Sequence, residues 1–268
     1  MQLGLITVST NGLDASDRDS AINIRPWPIK GMFQPDAIAA YKVGAQTYLV
    51  TANEGDTREY TTFVEAVRLG SGAVTLDPTV FPNASALKNN AALGRLNITS
   101  QLGRDPTTGM YRELYAFGGR SISIWNTQGA LVYDSRDELE TFTALLFPAN
   151  FNASNTNNNF DNRSDDKGPE PEGVVIGKVF GRDYAFVGLE RIGGIIAYDI
   201  TDPTKPFLAT YSNPRNFAAA PGTPEAGDLG PEGLIFITAE ESPNGKPLLV
   251  VGNEISGTTT IYEIGKLD

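Results

Sequence analysis

Apolar residues in this chain come in short runs rich in Val, Ile, Tyr and Phe, broken every few positions by Gly, Pro, Asn or Asp. Runs of β-branched and aromatic residues bounded by turn formers are the pattern of strands. Helical spacing is nearly absent. Its best instance is 137–147, where Ser135 and Glu138 have the spacing of a capping box ahead of Leu139, Phe142, Leu145 and Leu146. One short helix is expected there.

The strands repeat in phase with acids. Asp36 precedes AIAAYKV, a turn at Gly44, TYLVTA and Glu54; Glu172 precedes GVVIGKV, a turn at Gly181, YAFVGL and Glu190; Glu232 precedes GLIFITA, a longer turn at Gly245, LLVVGN and Glu254. The acids are 18, 18 and 22 residues apart, and the extra length of the third copy lies inside its turn. Third strands follow in GGIIAYDI and TTTIYEI, a fourth in PFLATYS, and a partial relative reads RELYAFGG, SISIWNT and ALVYDS. Repeated units of three or four strands are what propeller blades look like. The expected fold is all-β: a single β-propeller domain over 1–268, complete or partial, with about four antiparallel blades near 32–82, 91–147, 169–212 and 228–265. The runs at 37–43, 173–179 and 233–239 are expected innermost. A β-sandwich would supply the strands but would not require the phased acids.

Composition narrows the chemistry. Thirty-two acidic against 21 basic residues give a net charge of −11, which disfavours nucleic acid and favours cations. The chain has no Cys and no His. Thiolate and imidazole chemistry are therefore excluded, and any reaction must run on carboxylates, amides, Arg, Lys, Tyr, hydroxyls or a hard metal ion. No apolar stretch approaches the roughly 20 residues of a membrane-spanning helix, and residues 1–10 lack the basic start and apolar core of a signal peptide.

In a blade the start of the first strand and the end of the second share one face. Asp36, Glu54, Glu172, Glu190, Glu232 and Glu254 are thus expected around one channel mouth, with Arg58, Arg120 and Arg191, the candidate phosphate or anion ligands, in or just after the same loops. Two readings stand. The acids bind a hard cation, with Ca²⁺ the foremost candidate, or they are architectural acceptors for backbone N–H groups. Gly173 and Gly233 read as close-packing positions. A weaker candidate metal site is Asp14, Asp17 and Asp19 in DASDRD, which lacks the central Gly and distal Glu of an EF-hand loop. The polar stretch 150–168 reads as a long surface loop.

NGLDASDRDSAINI, MFQPDAIAAY, TYLVTANEGDTREY, ELYAFGGRSISIWN, GPEPEGVVIG, YAFVGLERIGGIIAYDITDP and GDLGPEGLIFI together resemble the choice-of-anchor I family. These are surface or secreted propeller proteins, some labelled alkaline phosphatase-like. The resemblance implies a secreted or cell-surface location and further blades ahead of the segment matching residue 1. It also implies another chain or copy that completes or covers the propeller edges. Two functions follow as expectations. One is a non-catalytic surface module that binds a divalent cation and a partner through its acidic loop face. The other is a Ca²⁺-dependent phosphomonoesterase using carboxylates, with Arg58 and Arg191 holding phosphate.

Overall fold

The three repeats form three hairpins, and each begins on the same local device. The first pairs Ala37–Val43 with Gln46–Asn53, the second Pro171–Val179 with Arg182–Leu189, and the third Pro231–Ile237 with Leu248–Asn253. The residue ahead of each leading proline is left-handed: Gln34 (φ 39°), Glu170 (φ 53°) and Gly230 (φ 70°). Its carbonyl accepts the N–H of the residue leaving the second strand, Gly55, Glu190 and Glu254 respectively. The proline has no N–H to lose, and the turned carbonyl closes the open end of the hairpin. In the second and third copies the Glu-Gly after the proline forms a bulge, between Pro171 and Val174 and between Pro231 and Gly233. That bulge is the physical content of the repeated Pro-Glu-Gly.

This computed structural model describes residues 5–7 and 11–266. It is all-β, with short helices at Ala84–Leu87 and Glu138–Leu146. The second hairpin continues into Ile195–Asp199 and Phe207–Ser212 as a four-stranded antiparallel sheet, and the third adds Thr258–Glu263. The first hairpin takes its outer strands from far along the chain. Ser121–Asn126 pairs with Gln46–Asn53, and Leu131–Asp134 follows. The sequence between 91 and 147 is therefore not one sheet. Tyr115–Phe117 joins a five-stranded sheet with Leu5–Thr7, Lys30–Met32, Asn97–Thr99 and Ala66–Arg68, in which its pairing with Lys30–Met32 is parallel. The chain changes sheets at Gly118-Gly119-Arg120, with Gly118 at φ 76° and Arg120 at φ 51°. A Cβ on Gly118 would lie 2.2 Å from the Glu54 carbonyl, so the crossing needs glycine.

The sheets stack on buried apolar faces. Val50, Ala52, Ile122 and Ile124 of the first sheet meet Ala185, Val187, Ile196 and Tyr198 of the second, with Leu139 of the longer helix among them. The other face of the second sheet packs Phe186, Ile195 and Ala197 against Leu249 and Val251 of the third. Both faces of the second sheet are thus covered, which is why YAFVGL and GGIIAYDI run apolar without alternation. The strand Pro171–Val179 lies between the first strands of the other two hairpins. At Gly173 a Cβ would sit 2.0 Å from the Glu232 carbonyl, and at Gly177 2.4 Å from the Phe236 ring. Gly233 faces open space, so its expected packing role is not realised.

The capping box does not form. Ser135 Oγ accepts from Ile122 N, while Glu138 accepts from Tyr133 and Tyr198, because sheet contacts outcompete the local cap. No helix among the described residues is long and apolar enough to cross a membrane.

The close approach at Gly173 makes a specific stability difference. Gly173→Ala is expected to cost about 1–3 kcal/mol through overpacking, while Gly233→Ala stays within about 0.5 kcal/mol as an unconfined change. Urea unfolding of both variants checks this, and equal costs would contradict the packing of these first strands.

Candidate functional site

Register places the phased acids together. Ala37 lies opposite Ala52, Pro171 opposite Leu189 and Pro231 opposite Asn253, so each leading acid stands beside the trailing acid of its own hairpin. Glu54 and Glu190 are buried, Glu172 is half-buried, and Asp36, Glu232 and Glu254 are exposed. The Glu172 carboxyl is pushed up to about 8, first by burial and then by Glu190, Glu54, Glu232 and Asp36. Four of the other five expected acids therefore act on Glu172. Glu254 points to solvent, with its backbone N–H bound to Gly230. Glu172 Oε2 is shielded from solvent and receives no hydrogen bond.

An unexpected acid lies beneath them. Glu170, the first acid of Pro-Glu-Pro-Glu, is wholly buried, with Lys167 Nζ at 2.8 Å, Arg191 Nε at 3.0 Å and Arg163 Nε at 3.0 Å. Burial opposes its ionisation, but these three cations outweigh it and hold the carboxyl below its usual value. Lys167 also bonds Glu54 at 2.7 Å, Arg191 reaches Glu190 at 3.0 Å, and Asn155 donates to Glu190 at 2.8 Å. Carboxylate oxygens of Glu54, Glu170 and Glu190 come within 4.8 Å of one another. The cluster is internally neutralised, with negative charge concentrated on Glu170 and Glu190 raised to about 7 by burial and by Glu170.

Three of these partners come from the stretch 150–168, which is not the surface loop expected from its polarity. Residues 151–155 and 164–165 are buried, as is Asp161. Its amide N–H groups find acceptors inside the protein: Asn152 donates to Glu140 and Ser164, and Asn158 to the carbonyls of Phe217 and Ala219. The buried Arg215 donates to the Ser154 and Asn157 carbonyls and to Asn158 Oδ1. A polar loop can be buried when most of its polar groups find partners inside the protein. Composition records the polarity and not the partners.

The second acidic cluster differs in membership from the expected one. Carboxylate oxygens of Asp14, Asp19 and Asp161 lie within 4.8 Å of one another. Asp17 instead pairs with Arg95 at 2.9 Å and with Arg18 at 3.2 Å. Asp14 accepts from the backbone N–H of Ser16 and Asn23, and Asp19 from Ala21 N and Asn23 Nδ2. Burial pushes Asp14 up to about 6 and Asp161 to about 8.

The three arginines expected to hold an anion are engaged within the protein. Arg120 is buried, 2.7 Å from Glu140 and bonded to the carbonyls of Asp14, Ser164 and Asp166. Arg58 pairs with Glu65 at 2.7 Å, and Arg191 with Glu170 and Glu190.

A carboxyl whose folded pKa is raised binds more protons folded than unfolded, so stability falls as pH rises from its unfolded value through its folded one. For Glu172 that window runs from about 4.5 to about 8. In EDTA, Glu172→Gln is expected to flatten the decline in Tm across this range, and an unchanged slope would contradict the clustering. Glu170→Gln should instead cost about 3–5 kcal/mol at neutral pH, because it leaves buried cations uncompensated.

Comparison with known proteins bears on the same residues. Gigasin-3a of Magallana gigas is 31% identical over 195 residues, a match that takes in 68% of this chain and 68% of that protein. The mesenchyme-specific cell surface glycoprotein of Strongylocentrotus purpuratus is 27% identical over 221 residues, covering 70% of this chain but 28% of its own length. The sequence pattern of the choice-of-anchor I domain matches residues 1–203, which hold both acidic clusters and the first two hairpins. The chain belongs to the choice-of-anchor I domain family.

Proposed function

We propose that this chain serves as a non-catalytic module of an extracellular or cell-surface protein, built as part of a β-propeller, whose acidic loop face takes a divalent cation and a protein partner. Family membership and a relative described as a cell surface glycoprotein support the location. The observation that carries the cation is Glu172. Its Oε2 has no donor, and its neighbours Glu190, Glu54, Glu232 and Asp36 are all acids. A group so placed takes up either a proton or a cation, and oxygen ligands alone favour Ca²⁺ or Mg²⁺.

The propeller reading rests on three sheets stacked face to face with their first strands adjacent. Ile38 and Ile235, on the first strands of the two flanking hairpins, are 61% and 62% exposed. In a larger ring, neighbouring blades would cover them; a partner chain would do the same. The alternative phosphomonoesterase needs a cationic group free to hold phosphate. With Arg58, Arg120 and Arg191 all engaged by carboxylates, the binding module is the better supported reading.

Two measurements test this. Calcium at about 100 times its Kd is expected to stabilise the protein by about 2.7 kcal/mol, and Glu172→Gln is expected to remove the mouth's share of that gain. Generic phosphate esters should be released no faster with calcium than with EDTA. Calcium-dependent ester hydrolysis that Arg191→Met abolishes would establish the phosphatase in its place. Light scattering should show the isolated chain self-associating through its apolar first strands, and Ile38→Lys with Ile235→Lys should return it to monomer.

A further inference from the structure

We infer that Asp14, Asp19 and Asp161 form a second, separate site for a hard divalent cation of the calcium type, with Asn152 as its neutral oxygen donor. The two acidic clusters provide the contrast. Around Glu54, Glu170 and Glu190 stand Lys167, Arg163 and Arg191. Around Asp14, Asp19 and Asp161, no basic side chain among the described residues comes within ion-pair distance. Arg120, which donates to the Asp14 carbonyl, is held by Glu140 and by the Ser164 and Asp166 carbonyls as well.

Unpaired buried oxygens point to the ligand independently of the clustering. Asp161 is 2% exposed and its Oδ2 receives no hydrogen bond; Asn152 is wholly buried and its Oδ1 is likewise unpaired. The two belong to one network, because Ser164 Oγ accepts from Asn152 Nδ2 and donates to Asp161 Oδ1. A protein interior does not leave such acceptors idle at no cost, and a cation satisfies both together. Carboxylates from two chain segments, a carboxamide oxygen and no nitrogen or sulfur ligand match the preference of Ca²⁺ for six to eight oxygens.

The backbone is already bent for this. Asp161 and Asn152 both adopt left-handed conformations, φ 68° and φ 46°, and Asp161 N is bonded to the Phe151 carbonyl. Asp19 and Asp161 are far apart in sequence, so the site exists only in the folded chain, and an ion there would clip the buried loop to the 11–23 segment. The site is distinct from the mouth, whose acids it does not share.

The test uses the whole chain with Ca²⁺ alone, in three forms: unmodified, Asp161→Asn and Glu172→Gln. Asn tolerates the left-handed backbone at 161 and keeps the volume, so the variant should fold. Calorimetric titration should show Asp161→Asn binding one ion fewer than the unmodified protein, while Glu172→Gln retains the ion that Asp161→Asn loses. If the mouth binds no ion, the unmodified chain binds a single one, still lost in Asp161→Asn; failure of the mouth and failure of this site are therefore distinguishable. In EDTA, Asp161→Asn should melt at or above the unmodified protein because it removes a carboxyl that folding must desolvate among other acids, and the order should reverse in saturating calcium. An unchanged ion count, or an equal drop in Tm with and without calcium, overturns the assignment.

Discussion

A carboxylate with no exposure to water cannot stay ionised alone, and Glu170 is that group. Its negative charge is kept only because Lys167, Arg163 and Arg191 meet it from two chain segments. Satisfying it fixes the loop that supplies Lys167 and Arg163, and that loop in turn brings Asn155 to Glu190 and Asp161 to Asp14 and Asp19. The left-handed Glu170, turned ahead of Pro171, also sends its carbonyl to Glu190 N and so closes the second hairpin. One desolvated charge thereby couples the end of a β-hairpin to the placement of two acidic clusters.

This coupling explains what the sequence made visible. Hairpins follow from short-range rules, so the strand pairs at 37–53, 171–189 and 231–253 could be read from apolar runs and turn glycines, and the convergence of Asp36, Glu54, Glu172, Glu190 and Glu232 followed from their phase. Sheet membership is a long-range property. Nothing in SISIWN says that its partner is QTYLVTAN rather than the adjacent YAF, and the glycines that redirect the chain read like an ordinary turn. The polar loop misled for a related reason. Asn, Asp, Ser and Arg mark exposure on average, but buried polar networks use the same residues, and only the fold supplies their partners.

The two glutamates of Pro-Glu-Pro-Glu show the limit most sharply. In sequence they are near duplicates, and the phased one, Glu172, is the natural candidate. In the fold Glu170 is itself left-handed and Glu172 lies in the bulge after Pro171, so Glu170 turns inward among cations while Glu172 remains among acids. Their ionisation moves in opposite directions, Glu170 below its usual range and Glu172 well above it. Backbone geometry over three residues thus decides which acid is neutralised by cations and which is left among acids.

The same molecule meets one electrostatic difficulty in two ways. Clustering carboxylates away from water costs free energy in either cluster, because desolvation and mutual repulsion act together. At Glu54, Glu170 and Glu190 the chain supplies its own Lys and Arg, and those charges are fixed once the loop is folded. At Asp14, Asp19 and Asp161 it supplies backbone N–H groups, a serine and an asparagine, which orient the carboxylates without neutralising them. An arrangement that orients carboxylates without supplying a counter-charge leaves their compensation to protons or, on the inference drawn above, to a hard cation from solution. On the proposed surface role, that difference would separate the acids that hold the fold together from those open to a ligand.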